Sequence, residues 1–273
     1  MQREQVDVVV AGGASHVVTL AAGLSTLSTI VDIVSVGGAS AGAISAAAEA
    51  FAVPVHKQKA LLKKVLTRDY LKDRAWNPLD RYGLYAGDNL YKELKDLFGG
   101  KTMGEALIPL RVVVCDLWTR QPVVIEGGPG CNPEHAKLKV VDALRCSAAI
   151  PVFFKAWTLP EWRGNRLFVD GGTAANFAMG MFDDSPRRTI GLRLTPAPMD
   201  DVKPVRSLVA FCEAVASLVL WASDNAHISR KRYADVISLP QIGSGLNFNL
   251  TDEVFEERWA AGVAGVPGAQ FLL

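Results

Sequence analysis

The chain has 273 residues, of which 49% are hydrophobic, and its formal net charge is +1 at pH 7. The balanced charge gives no electrostatic reason to expect a nucleic-acid partner, and the apolar share suffices for a full hydrophobic core. The four cysteines are widely spaced and form no Cys/His cluster, which argues against a zinc site or a disulfide framework. We therefore expect a cytoplasmic protein that needs no metal or other cofactor.

The N-terminal segment predicts a buried strand, a glycine turn and a helix rather than a membrane anchor. Residues 8–31 carry no charge, and a run of this length could span a bilayer, but two adjacent glycines, a histidine and several serines and threonines interrupt it. Acidic residues directly precede the first apolar run, a pattern unlike the basic start of a secretion signal. We expect a strand over residues 6–11 and then a helix that ends near residue 29.

Short β-branched runs alternate with helical patterns along the rest of the chain. The first strands lack the apolar/polar alternation of a half-exposed sheet, which favours a parallel sheet covered by helices on both faces. Further strands are predicted at residues 31–36, 110–117, 122–127, 165–170, 189–194 and 234–239. Helices are predicted at residues 40–51, 56–66, 89–98, 140–145, 205–226 and 252–260. Without a repeat or a linker, this order predicts a single α/β domain over residues 1–273, a three-layer α/β/α fold with a mainly parallel central sheet.

A single serine follows the second predicted strand. Ser40 lies at the centre of Gly38-Ala39-Ser40-Ala41-Gly42, a GxSxG pattern that leads into an alanine-rich helix. At such a turn the glycines leave room for a tight elbow, which exposes the serine hydroxyl at the start of the helix. Free backbone N–H groups and the helix dipole there favour negative charge on the oxygen of an attacked ester. The pattern therefore predicts a serine nucleophile.

A serine hydroxyl needs a base within hydrogen-bond reach, and two candidates lie downstream. Asp170 ends a predicted strand before two glycines, so its carboxylate should emerge at the same edge of the sheet as Ser40. His227 would complete the chain order serine, aspartate, histidine of a common hydrolase triad. A simple turn aspartate and a solvated or helix-capping histidine are the alternatives for these two residues.

Several segments, in order along the chain, resemble those of patatin-like phospholipases. They are AGGASH (residues 11–16), GASAG (38–42), GLYAGDNL (83–90), LRVVVCDLWTRQPVVIEGG (110–128), RCSAAIPVFF (145–154) and VDGGTAANF (169–177). The resemblance implies hydrolysis of the acyl ester of a phospholipid or related lipid by a serine–aspartate dyad, with Ser40 as the nucleophile and Asp170 as its base. It also implies an oxyanion hole made by the backbone N–H groups of Gly12, Gly13, Ala14 and Ala41.

The segment AGGASH departs from the family pattern of three glycines, any residue, a basic residue and a glycine. Alanine replaces the first glycine, Ser15 replaces the basic residue and His16 replaces the last glycine. An oxyanion hole built from main-chain donors tolerates these changes, but the cation of the family pattern is missing. His16 is interpreted either as a polar group of the site or as a residue that caps the following helix.

A phospholipid substrate requires contact with a lipid surface. Residues 151–163 include Phe153, Phe154 and Trp157 together with basic residues, a mixture typical of a membrane interface and equally of a core beside the site. These three aromatic residues are the candidates for substrate contact or peripheral membrane contact. The lysines of the helix at residues 56–66 are interpreted as a solvated face.

Three functions remain open from the sequence. The favoured one is a lipid acyl hydrolase that uses Ser40 and Asp170. The second is an esterase or thioesterase with a triad of Ser40, Asp170 and His227. The third is a lipid-binding protein that keeps the fold without catalysis.

Overall fold

The structure is a computed structural model that describes residues 3–67, 69–73, 82–195, 236–245 and 247–268, with isolated positions between residues 205 and 223. Its helices are α1 (Val17–Ile30), α2 (Ala41–Ala50), α3 (Val55–Leu66), α4 (Asp88–Phe98), α5 (Pro133–Ala136), α6 (Val140–Ser147), α7 (Pro160–Arg163), α8 (Gly172–Ala175) and α9 (Asp252–Ala264). Its strands are β1 (Gln5–Val10), β2 (Asp32–Ala39), β3 (Gly83–Tyr85), β4 (Leu110–Asp116), β5 (Gln121–Gly127), β6 (Val152–Phe154), β7 (Trp157–Leu159), β8 (Gly164–Asp170), β9 (Arg188–Leu194) and β10 (Val236–Leu239).

The central sheet runs in the order β10, β9, β1, β2, β4, and all of these neighbouring strands are parallel. β5 and β8 pair with β4 in the antiparallel direction, and β7 pairs antiparallel with β8. β3 and β6 form a separate two-stranded sheet. The predicted α/β fold with a mainly parallel central sheet is therefore confirmed.

Both faces of the sheet are covered, as the side chains of β1 show. Val6, Val8 and Val10 belong to the main hydrophobic core, which also contains the apolar residues of α1, α2, α3 and α6. Val9 belongs to a smaller cluster with Phe177 on the opposite face. Successive side chains of a strand point to opposite faces, so the continuous valine run reflects burial on both sides.

β4 brings two other strands end to end along one of its sides. β5 pairs with β4 over the whole length of β4 and so occupies the other side. β2 runs parallel to β4 and ends at Ala39, which is paired with Val113. β8 runs in the opposite direction and ends at Asp170, which is paired with Val114. The last residues of β2 and β8 therefore meet head to head.

β2 extends beyond the predicted end at residue 36, because Gly37 and Gly38 continue the pairing with β4. A Cβ atom added to Gly37 would overlap the sulfur of Met181 and would lie 2.7 Å from the carbonyl oxygen of Arg111. Glycine at position 37 is thus required by close packing inside the sheet and not by a turn.

The charge-free run at residues 8–31 is divided between β1, a loop and α1. None of the helices among the described residues combines the length and the apolar character needed to cross a bilayer.

Candidate active site

Ser40 lies on a tight turn between β2 and α2. Its backbone angles are φ 53° and ψ −128°, a conformation that residues other than glycine rarely adopt. A Cβ atom on Gly42 would overlap the carbonyl oxygens of Val10 and Ala11, which shows how closely the start of α2 packs against the end of β1. The glycines of the GxSxG pattern therefore have a steric cause, and the turn places Ser40 at the N-terminus of α2.

The hydroxyl of Ser40 donates a hydrogen bond to the carboxylate of Asp170. Ser40 Oγ and Asp170 Oδ2 are 2.5 Å apart, and the two residues are 2% and 0% exposed. The other oxygen, Asp170 Oδ1, accepts a hydrogen bond from the N–H of Gly172 at 2.7 Å. The structure brings the predicted pair together, but the strands that carry the two residues are arranged differently from the expected parallel pair. Since β8 is antiparallel to β4, Asp170 reaches Ser40 head-on and not from a shared carboxyl edge.

Burial determines the electrostatics of Asp170. Burial raises the pKa of Asp170 from 3.8 to about 7, against the opposing effect of its hydrogen bonds from Ser40 and the N–H of Gly172. A carboxylate with this pKa accepts a proton near neutral pH much more readily than an exposed aspartate does. The geometry and this pKa therefore allow a proton to pass from the Ser40 hydroxyl to Asp170.

Ser147, the last residue of α6, fixes the turn that carries Ser40. Its hydroxyl accepts a hydrogen bond from the N–H of Ser40 at 2.9 Å and donates one to the carbonyl oxygen of Val113 at 2.6 Å. The side chain is fully buried. Ser147 thus connects the turn to β4, the strand that positions Asp170. The sequence offers no sign of this role beyond the place of Ser147 in the segment RCSAAIPVFF.

Backbone N–H groups beside Ser40 are available to an oxyanion. Among the described residues, the N–H groups of Gly13, Ala14 and Ala41 have no hydrogen-bond acceptor. Gly12 requires a correction, because its N–H donates to the carbonyl oxygen of Asn176 at 3.0 Å and is therefore engaged. Ala14 and Ala41 line the same cavity as Ser40. Three of the four expected donors thus remain free in this part of the structure.

His16 is buried directly before α1 and is neutral at physiological pH. Its Nε2 donates a hydrogen bond to the carbonyl oxygen of Ile242 at 3.0 Å. Burial, reinforced by the nearby charge of Arg258, lowers the pKa of His16 from 6.5 to about 4. Its side chain makes no capping hydrogen bond to α1. His16 therefore supplies neither the missing cation nor a helix cap. Instead it connects the glycine-rich loop, residues 11–16, to Ile242 in the segment before α9.

An apolar cavity adjoins Ser40. It is partly open to solvent, and apart from the Ser40 hydroxyl its lining side chains are apolar. Helix α3 contributes Leu62 and Leu66, and Phe154 and Phe248 close another part of the wall. The arrangement places apolar side chains next to the serine oxygen, which favours an apolar group of a substrate at this position.

The three aromatic residues proposed for substrate or membrane contact lie in different environments. Phe153 and Phe154 are 4% and 2% exposed, so in this conformation they pack inside and present no surface to a membrane. Phe154 nevertheless lines the cavity beside Ser40. Trp157 is partly buried against Tyr91 and Arg145, with the Arg145 guanidinium carbon 5.0 Å from its ring centre. Substrate contact thus remains a prediction for Phe154.

Three lysines of α3, Lys59, Lys63 and Lys64, are engaged in ion pairs at the surface. Lys59 Nζ lies 2.6 Å from a carboxylate oxygen of Glu256 on α9, and Lys64 Nζ lies 2.7 Å from one of Glu93 on α4. These pairs balance the charge of the outer face of α3 while its inner face lines the cavity.

His227, the alternative base, lies outside the described residues, as does most of the helix predicted at residues 205–226. Within the described ranges, no group of three histidine, cysteine, aspartate or glutamate residues is placed to hold a metal ion.

Solved structures share the architecture of this chain. The crystal structure of VipD from Legionella pneumophila matches 100% of this chain and 67% of its own, with a TM-score of 0.53 and 14% sequence identity. ExoU from Pseudomonas aeruginosa, in its heterodimeric complex with SpcU from the type III secretion system, matches 99% of this chain with a TM-score of 0.48 and 16% identity. The match covers 52% of the matched chain of that complex. At these identities the likeness to VipD concerns the fold alone.

Sequence comparison defines the family. The model of the patatin-like phospholipase family matches residues 8–183. YqhO, an uncharacterized protein of Bacillus subtilis (strain 168), is 30% identical over 228 residues, which cover 75% of this chain and 76% of YqhO. The chain belongs to the patatin-like phospholipase family. This membership supports lipid hydrolysis as the general class of its activity.

Proposed function

We propose that the protein is a lipid acyl hydrolase of the phospholipase A or lysophospholipase type that works through a Ser40–Asp170 dyad. The observation that carries this proposal is the 2.5 Å hydrogen bond between Ser40 Oγ and Asp170 Oδ2 at the wall of an apolar cavity. Family membership supports a lipid ester as the substrate class. An apolar pocket next to the nucleophile suits a fatty acyl chain and not a polar alcohol group.

In the first half of the reaction, Ser40 Oγ attacks the ester carbonyl carbon while its proton passes to Asp170 Oδ2. The carbonyl oxygen becomes an oxyanion and accepts hydrogen bonds from the N–H groups of Gly13, Ala14 and Ala41. The tetrahedral intermediate then expels the alcohol, which takes the proton from Asp170. An acyl-serine and a free alcohol result, and Asp170 is again a carboxylate.

In the second half, water replaces the alcohol. Asp170 removes a proton from the water molecule as its oxygen attacks the acyl-serine carbon. The intermediate collapses with release of the fatty acid, and the proton on Asp170 returns to Ser40 Oγ. The cycle consumes one water molecule and restores both side chains.

Labelling with a fluorophosphonate tests the proposal directly. Phosphonates react with activated serine hydroxyl groups, so we expect stoichiometric labelling of the folded protein, with the mass increase located on the peptide that contains Ser40. The same preparation should hydrolyse a fluorogenic phospholipid, and labelling should abolish that hydrolysis. Heat-denatured protein is the control, because an unactivated serine should stay unlabelled.

Two results would contradict the proposal. Labelling at another residue, with hydrolysis retained, would show that Ser40 is not the nucleophile. A folded protein that binds lipid vesicles but neither reacts with the phosphonate nor hydrolyses any ester would be the non-catalytic lipid-binding protein that the sequence left open.

The rate should depend on pH through Asp170. Only the carboxylate form accepts a proton from Ser40, so kcat/KM should fall about tenfold per pH unit below a midpoint near the Asp170 pKa of about 7 and should level off above it. His16 does not titrate in this range because its pKa is lowered to about 4. The measurement is kcat/KM for a soluble ester across this range. A midpoint near 4 would show that an exposed carboxylate is the base.

Asp170 should also make the stability of the protein depend on pH. The free energy of unfolding should fall as the pH rises, whereas kcat/KM should rise. Its pKa is about 7 in the folded protein against an ordinary value of 3.8, so between these values the folded state holds a proton that the unfolded chain releases. The free energy of unfolding therefore falls as the pH rises from about 4 to about 7, and the contribution is complete only below the lower value. Urea denaturation at the two ends of this range should show a smaller difference for Asp170→Asn than for the unmodified protein.

A further inference from the structure

Arg258 reaches from α9 to the glycine-rich loop and is almost fully buried, at 1% exposed. Its Nη1 donates a hydrogen bond to Ser15 Oγ at 2.9 Å. Its Nε donates to the carbonyl oxygen of Ile242 and its Nη2 to that of Ser244, both at 3.0 Å. All of these acceptors belong either to the loop or to residues 242–245, which contact the loop. Among the described residues, no carboxylate forms an ion pair with this guanidinium.

The loop itself is strained and needs to be held. Ala14 has φ 48°, a left-handed value that a residue with a Cβ adopts only when its surroundings enforce it. The next residue is fixed by its main chain and by its side chain. The N–H of Ser15 donates to the carbonyl oxygen of Gly245 at 2.8 Å, and its hydroxyl accepts from Arg258 and donates to the carbonyl oxygen of Ser244 at 3.4 Å. His16 adds a third attachment through Ile242. Arg258 is thus at the centre of the contacts that keep the free N–H groups of Gly13 and Ala14 in place.

Burial of this cation carries a cost that the fold could avoid. Desolvation lowers the pKa of Arg258 from 12.5 to about 10, although the charge of Glu257 opposes this shift. The side chain therefore remains charged at neutral pH while no carboxylate among the described residues forms an ion pair with it. An apolar side chain of similar volume in the same place would avoid the desolvation penalty and would make the folded state at least as stable. A positive charge in a region of low dielectric, directly behind the loop, instead favours a developing negative charge nearby.

We infer that Arg258 is a positioning residue of the oxyanion loop, which supplies from α9 the buried cation that the loop does not carry. Through Ser15 it holds Gly13 and Ala14 in the strained conformation that presents their N–H groups, and its charge stabilises the oxyanion at a distance. This inference rests on the proposed function, because it assigns a role in the same ester hydrolysis.

The test replaces the guanidinium and then restores it. Arg258→Ala should lower kcat for a soluble ester by about 100-fold, within the range seen when an oxyanion donor is lost, while KM changes little. Added guanidinium ion at millimolar concentration should restore part of kcat, and urea, which has nearly the same shape but no charge, should not. Arg258→Lys should fall between the two proteins. Arg188→Ala, which makes the same change at an exposed arginine at the start of β9, is the matched control and should keep full activity.

A second variant guards against misfolding of Arg258→Ala. Ser15→Ala removes the hydrogen bond from Arg258 and the longer one to the carbonyl oxygen of Ser244, but it leaves the buried cation and the main-chain bond to Gly245 in place. It should lower kcat by roughly tenfold, as expected for the loss of one hydrogen bond to a charged group.

The inference would be overturned by full kcat in Ser15→Ala, or by folded Arg258→Ala whose rate guanidinium raises no more than urea does. These outcomes require an unmodified protein that hydrolyses esters. If the unmodified protein is inert, the proposed function fails and this inference fails with it. If it is active and the variants match it, only the role of Arg258 is wrong.

Discussion

Replacement of Ser40 by alanine or of Asp170 by asparagine is expected to lower kcat by at least about 10³- to 10⁴-fold. Ser40→Ala removes the attacking oxygen, and Asp170→Asn removes the proton acceptor that lies 2.5 Å from it. Because the two side chains act as a unit in the proposed mechanism, the double variant should be no slower than the slower single variant. The measurement is steady-state hydrolysis of a fluorogenic phospholipid and a short-chain ester.

A matched control separates catalysis from folding. Asp7 is also fully buried, and its Oδ1 lies 3.1 Å from Arg187 Nε. It lies in the N-terminal half of β1, whereas the C-terminal end of β1 leads to the loop beside Ser40. Asp7→Asn should reduce stability and keep kcat, because it weakens a partly buried ion pair away from Ser40. Asp170→Asn should have the reverse profile, with little activity and undiminished stability above neutral pH, since it removes a carboxylate that burial disfavours.

His227→Ala distinguishes the dyad from the triad. Under the proposed mechanism this variant keeps full activity, because Asp170 accepts the proton directly. An essential His227 would contradict the dyad and would favour the esterase or thioesterase with a triad.

Gly42→Ala is expected to destabilise the protein by about 3 kcal/mol or more, the upper part of the range for overpacked cores. The new Cβ would overlap the carbonyl oxygens of Val10 and Ala11 and would lie 2.8 Å from the carbonyl carbon of Val10. These are backbone atoms of β1 and of the loop that follows it, so they cannot rotate away as a side chain would. Chemical denaturation measures the loss, and any folded fraction should also be less active because the clash displaces the oxyanion loop.

Gly100→Ala is the control for this substitution. A Cβ atom added at Gly100 would have no atom within 4 Å among the described residues. Its effect on the free energy of unfolding should stay within about 0.5 kcal/mol, as is usual for surface positions. Equal stability of Gly42→Ala and the unmodified protein would mean that α2 does not pack against β1 as described.

Local patterns allowed much of the fold to be predicted from the sequence. The valine run of β1 and the GxSxG turn carry their structural causes in neighbouring residues, which is why both were recognisable. The length of β2 was underestimated, because glycines usually end a strand and the need for close packing against Met181 and Arg111 is visible only in three dimensions.

The site was predictable only where its residues have local signals. Ser40 and Asp170 each lie in a distinctive segment, although 130 residues separate them. Arg258 has no such signal, since an arginine in a helix of mixed polar and apolar residues is ordinary and its contact with Ser15 spans 243 residues. The engagement of the Gly12 N–H by Asn176 likewise depends on tertiary placement that no periodicity encodes.

Because β2 and β8 meet head to head on β4, their pairing with β4 determines the distance between their last residues. Ala39 and Asp170 are paired with adjacent residues of β4, Val113 and Val114, so the hydrogen-bond ladder sets the separation between the serine and its base. A slip of β8 by one residue along β4 would move Asp170 by about 3.3 Å and would turn its side chain to the other face of the sheet. The reacting distance is therefore fixed in whole steps of the ladder, and strand register, rather than side-chain choice alone, decides whether the two groups can meet.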